Sequence, residues 1–94
     1  MAAYLVGHIT VKDDRLWQEY VRGVQESISP FDAKIVFRGQ LDRVLAGQHE
    51  HDLVVAIEFP DQPALNNWFD SEKYQSLITL RDKAANVVIT TYKV

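Results

Sequence analysis

Residues 3–11 read AYLVGHITV, and their alternation decides the fold. Successive side chains of an extended chain point to opposite faces. Leu5, Gly7, Ile9 and Val11 therefore share one face, and Tyr4, Val6, His8 and Thr10 share the other. Both sets are largely apolar, as expected of a central strand covered on both sides. DLVVAIEF (52–59) has the same character and supplies a second central strand, Leu53–Phe59.

Between these two strands, Trp17, Tyr20, Val21, Val24 and Ile28 recur at helical spacing and predict a helix over Asp14–Ser29. Asp13 or Asp14 can cap its start. Pro30 is expected to end it at Ser29, since proline disfavours helical geometry in the residue before it. Gly23 lies off the apolar stripe and costs about 1 kcal/mol relative to alanine. A strand over Ala33–Arg38 and a short extension over Leu41–Ala46 follow.

Beyond the second central strand, Asp61 is a suitable cap for a helical stretch over Gln62–Asp70. Asp70 or Ser71 can restart the helix over Ser71–Ala84, and a last strand covers Val87–Val94. The order strand–helix–strand–strand–helix–strand implies an α+β, ferredoxin-like sandwich with an antiparallel sheet. Right-handed crossovers place the first and third strands side by side at its centre. Ninety-four residues make a single domain, 1–94.

Composition narrows the function. A net charge of −3, with ten scattered basic residues, argues against binding nucleic acid through its phosphates. The absence of cysteine removes thiolate chemistry, disulfides and Cys-based metal sites. No apolar run is long enough to span a membrane, and the N-terminus lacks the basic start of a signal peptide. A reducing cytoplasm is the expected location. No phosphate-binding glycine loop, nucleophile elbow or His-Glu-x-x-His motif occurs, and no cofactor is expected.

Strict alternation gives the sheet one face for the helices, including Ile35, Phe37, Val55, Ile57, Val87 and Ile89. The other face holds Tyr4, Val6, His8, Arg38, Val54, Ala56, Glu58, Val88 and Tyr92. That second set is too apolar for water and has no helix left to cover it. A homodimer with sheet facing sheet is the simplest cover.

AYLVGHITVKD, the Glu-Phe-Pro at 58–60 and WFDSEKYQSL (68–77) resemble the domain-of-unknown-function family numbered thirteen-thirty, within the dimeric α/β-barrel superfamily. The resemblance spans essentially the whole chain and implies a barrel shared by two subunits. It also implies paired glycines before the second strand and an Arg-Gly-Gly at its end, where this chain has Asp32-Ala33 and Arg38-Gly39-Gln40. Superfamily relatives include cofactor-independent monooxygenases, lactone isomerases and haem enzymes, so the fold alone does not choose a reaction.

On the open face, His8 and Arg38 are the candidate catalytic pair, with Glu58 and Tyr92 near them. Arg38 would hold an anion and His8 would move a proton. The competing expectation is an Arg38–Glu58 pair and a bonded His8 that fix dimer register. Trp68, Tyr74 and Arg81 are candidates for a pocket between sheet and helices; the alternative is an aromatic core with Arg81 reaching out to solvent. His49-Glu50-His51-Asp52 has His-x-His spacing but no third ligand evident, and no metal is expected there. Two functions stay open. One is a cofactor-independent oxygenase or isomerase acting on a small aromatic or anionic metabolite. The other is a non-catalytic dimeric binding or structural module.

Overall fold

A computed structural model describes all 94 residues. Its elements are β1 (Ala3–Val11), α1 (Asp14–Ile28), a 3₁₀ turn (Ser29–Phe31), β2 (Lys34–Gln40), β3 (Leu53–Phe59), α2 (Gln62–Phe69), α3 (Glu72–Gln75), α4 (Ile78–Ala84) and β4 (Ala85–Lys93). The four strands form one antiparallel sheet in the order β2-β3-β1-β4, with β1 and β3 central. This is the expected ferredoxin-like sandwich, with all helices on one face.

The helix starts follow from local chemistry. Asp13 accepts a hydrogen bond from the Leu16 amide, Asp61 from Ala64 and Ser71 from Tyr74, each occupying an amide that the first turn leaves free. Ser71, not Asp70, is therefore the restart cap. The second helical stretch is not continuous over Ser71–Ala84; it breaks after Gln75 and resumes at Ile78. The Lys12 and Asp13 amides both donate to the Ala84 carbonyl, at 2.7 and 3.0 Å, tying the start of α1 to the end of α4.

Three further expectations need correction. Ser29 stays helical (φ −55°, ψ −45°), and the chain runs on through Pro30 as a 3₁₀ turn. Proline tolerates the first positions of a helical turn, and its bias on the preceding residue is outweighed here. The stop comes at Asp32, whose φ of 56° is left-handed, a conformation aspartate tolerates better than most residues. Asp32 stands where the family resemblance implies glycine. The extension over Leu41–Ala46 is not a strand.

The third correction matters most. β2 carries a bulge between Ile35 and Phe37: Ile35 pairs with Ile57, but Phe37 pairs with Ala56 and Arg38 with Val55. The extra residue reverses the alternation beyond it. Phe37 consequently lies on the open face, half exposed, and Arg38 lies on the helix face.

The core fills the space between sheet and helices. Leu5, Ile9, Ile57 and Phe59 from the sheet meet Trp17, Tyr20, Val24, Ile28, Leu65, Trp68 and Tyr74 from the helices, all under a tenth exposed. Gly23 has a packing role: a β-carbon there would come within 2.6 Å of the Leu77 side chain, so the glycine admits that leucine against α1. Gly7 faces the neighbouring strand closely. Its missing β-carbon would meet Val55 of the neighbouring strand at 3.2 Å, and the space it leaves belongs to a small cavity.

Candidate functional site

Arg38 is the polar end of an otherwise apolar cleft. Leu5, Gly7, Ile9, Val55 and Ile57 form its floor, Trp17, Tyr20, Val21 and Val24 of α1 its roof, and Trp68 closes the interior. This cleft, partly open to solvent, holds about 40 Å³, room for a water-sized guest. Next to it lies an open depression of about 480 Å³, lined by Trp17, Gln18, Arg38 and Gly39 among others, which shares Ile9, Trp17, Val21, Arg38 and Val55 with the interior. This outer part is of ligand size. Arg38 is exposed and makes no ion pair within the chain. A guanidinium so placed offers a fork of donors to an anionic group at the mouth of an apolar slot.

His8 is not part of this site. It sits on β1 opposite Val54 and Val88, on the open face, so the expected His8–Arg38 constellation does not exist. The bulge separates them. Nor does Arg38 pair with Glu58; the carboxylate of Glu58 has Lys34 as its neighbour, at 3.9 Å. Tyr92 lies on the open face, half exposed, and accepts a hydrogen bond from Thr90 at 3.1 Å.

Trp68 is core and cavity wall at once. It is 2% exposed, its ring centre lies 4.3 Å from that of Tyr74 and 5.4 Å from that of Phe59, and its indole N–H donates to Ser27 Oγ at 2.9 Å. Ser27 in turn donates to the Val24 carbonyl. The buried serine is on the inward stripe of α1, three residues after Val24, and only its hydroxyl kept it off the apolar pattern.

Tyr74 is sealed, with no exposed surface. Its hydroxyl meets the Tyr20 hydroxyl at 3.0 Å and accepts from Arg81 Nη1 at 3.0 Å, while Arg81 Nε donates to Asp82 at 3.2 Å. The predicted Tyr74–Arg81 alignment is thus real but serves a buried chain of hydrogen bonds. Burial, then the adjacent Tyr74, pushes the Tyr20 hydroxyl well above the usual tyrosine range, so it stays protonated. Arg81 also lines a second open depression of about 570 Å³, together with Asn66, Asp70 and Thr91. Tyr74→Phe should cost about 1–3 kcal/mol by leaving Tyr20 short of a buried partner. Urea denaturation reads this directly, and a loss below that range would mean that the pair contributes nothing to the core.

The open face holds the contact that spacing alone could not reveal. The connection from β2 to β3 folds back so that the His49 ring lies 4.8 Å from that of His8 and 6.0 Å from that of His51. His8 and His49 are too far apart in sequence for any local pattern to link them. The three rings do not converge on a metal position, and no group of His, Cys, Asp or Glu in the chain does.

A four-stranded antiparallel sheet, helices on one face and an apolar cleft between the layers define a ferredoxin-like α+β domain of the kind found in dimeric α/β barrels. The chain belongs to the family described as Domain of unknown function (DUF1330), whose profile matches residues 2–92. Among solved structures, a protein of unknown function from Rhodopseudomonas palustris superposes with a TM-score of 0.83 at 16% identity, covering 99% of this chain and 82% of that one. A dimeric ferredoxin-like protein of unknown function from Jannaschia sp. CCS1 gives 0.75 at 10% identity, with 100% of both chains covered. SnoaB from Streptomyces nogalater, a cofactor-independent oxygenase, gives 0.69 at 10% identity, covering 99% of this chain and 92% of that one. A search of curated protein sequences returns no match.

Proposed function

We propose that the protein binds a small amphiphilic anion, such as an aromatic carboxylate, in the cleft between sheet and helices. The carrying observation is Arg38, an unpaired guanidinium at the mouth of an apolar slot. The apolar body would lie against Trp17, Val21 and Val55, and the charge would meet Arg38. Benzoate and benzyl alcohol are suitable probes because they differ in that charge. Benzoate should shift the Trp17 indole resonance in NMR titrations, and Arg38→Gln should weaken benzoate about tenfold or more while leaving benzyl alcohol unchanged. Equal effects on both probes, or no shift at Trp17, would remove the anion site.

Turnover is a further step. SnoaB supports an oxygenase reading by fold alone, and no His8 stands beside Arg38 to move a proton. Tyr20, the titratable group on the cavity wall besides Arg38, is held protonated, and its hydroxyl is bonded to Tyr74. The second reading, a dimeric binding or structural module without catalysis, is favoured by the small volume of the cleft and by fully buried Phe59, Trp68 and Tyr74.

The protein is further proposed to act as a homodimer joined through the open sheet face. Val36, Phe37, Val88 and Tyr92 are each about half exposed, and fold neighbours from Jannaschia sp. CCS1 and Thermobifida fusca are described as dimeric. Light scattering should give twice the 10.8 kDa chain mass; a monomer at micromolar concentration ends this reading.

A further inference from the structure

We infer that His8, His49 and His51 form a proton-operated clasp, which when neutral holds the β2–β3 connection on the open face of the sheet and when protonated lets it go. The connection, residues 41–52, contains no helix or strand. Its side-chain hydrogen bonds to the rest of the chain are both made by Thr10: the hydroxyl meets His51 Nδ1 at 2.9 Å and donates to the Glu50 carbonyl at 3.4 Å. The base of the loop is closed by the Leu41 amide donating to the Asp52 carbonyl at 2.6 Å. Beside the partly covered Leu41, the contacts it makes to the sheet here include imidazole rings. His49 stands edge-on to His8, with an interplanar angle of 77°, and His51 stands edge-on to His49 at 74°.

These contacts suit neutral rings. His8 Nδ1 is buried with no hydrogen-bond partner, so nothing nearby is arranged to receive a proton carried there. Two or three imidazolium ions with ring centres 4.8 and 6.0 Å apart repel, and the loop is the mobile party because β1 is fixed between two strands.

The surrounding charges do not reverse this sign. From the strands, the residues near the cluster are Leu53 and Val54 of β3, Asn86 and Val88 of β4, and Gly39 and Gln40 of β2, none of them titratable. Lys12, next along the outward side of β1, is turned to the Asp82 carbonyl. The loop itself brings Asp42 and Arg43 at its start and, next to the rings, the carboxylates of Glu50 and Asp52, with Asp52 beside the three histidines. Both carboxylates belong to exposed residues, where water screens their attraction, whereas His8 is partly buried.

Burial, then His49 and His51, holds the His8 ring below the ordinary histidine value of 6.5. A base whose folded-state value is depressed contributes stability that is present above its unfolded value. That stability is lost as pH falls below about 6.5 and through the folded value.

The clasp needs no ligand, but His8 lies on the same open face as the proposed dimer contact, so exchange is measured at two protein concentrations. A pH effect that changes with concentration belongs to the dimer and overturns the clasp. Its test is amide exchange by NMR at about pH 7.5 and about pH 5.5, corrected for the intrinsic rate. Protection of the Leu41 amide should fall about tenfold or more on acidification, while Ile57 in the central strand keeps its protection. The triple variant His8→Gln/His49→Gln/His51→Gln should show equal Leu41 protection at both pH values. Constant protection in the wild type overturns the clasp. So does protection that rises in acid, which would mean that Glu50 and Asp52 dominate. An unchanged fall in the triple variant assigns the effect to other groups and overturns it as well.

Discussion

Trp68→Ala is expected to lower the unfolding free energy by about 3–5 kcal/mol, the usual loss for truncating a fully buried tryptophan. Two terms add. The indole packs on Tyr74 and Phe59, and removing it opens a void next to the cavity already present beneath α1. Its N–H also satisfies Ser27, whose hydroxyl would lose a buried partner. Native domains are stable by about 0.05–0.15 kcal/mol per residue, so this one substitution removes a large share of what holds a 94-residue chain folded. A urea transition followed by circular dichroism measures the loss. If stability hardly changes while benzoate binding disappears, Trp68 is a wall of the cleft and not a pillar of the core.

Val6→Glu should convert the proposed dimer to monomer, raising its dissociation constant by a hundredfold or more, on the order of 3 kcal/mol or above. Val6 lies mid-strand in β1 on the open face, between Ala56 and Thr90. In a sheet-to-sheet dimer a carboxylate there is stripped of water with no cation supplied. The core lies on the other side of the sheet, so the monomer should keep its wild-type circular dichroism. Sedimentation velocity separates the outcomes: a variant that remains dimeric shows that the two copies meet elsewhere.

The central strands were legible because their signal is redundant. In β1 and β3 both faces are largely apolar and the alternation is regular, and the structure matches the expected limits. The cap at Asp61 and the ferredoxin-like topology followed from equally local rules. Arg38 was misplaced because period-two counting assumes one residue per rung, and nothing in KIVFRG marks Val36 as extra. The α-helix ends at Ile28, one residue from the expected limit, but not for the expected reason: the preference of a residue preceding proline is a bias, Ser29 keeps helical dihedrals, and the chain turns at Asp32. The histidine cluster depends on where a long connection folds back, which no spacing within HEHD encodes. The candidate site was therefore half visible. Arg38 stood out by its type, but its side of the sheet did not.

The bulge in β2 has a consequence for comparing relatives. Two homologous chains can carry an arginine in the same alignment column and present it on opposite sides of the sheet, according to whether the strand has a spare residue just before it. A relative lacking the residue equivalent to Val36 would keep its arginine over the cleft with a regular ladder. One that keeps the residue but straightens the strand would deliver the arginine to the open face of the sheet and a phenylalanine to the cleft. Positional identity at Arg38 is thus no guide to shared chemistry until the pairing of Ile35 and Phe37 with β3 is known.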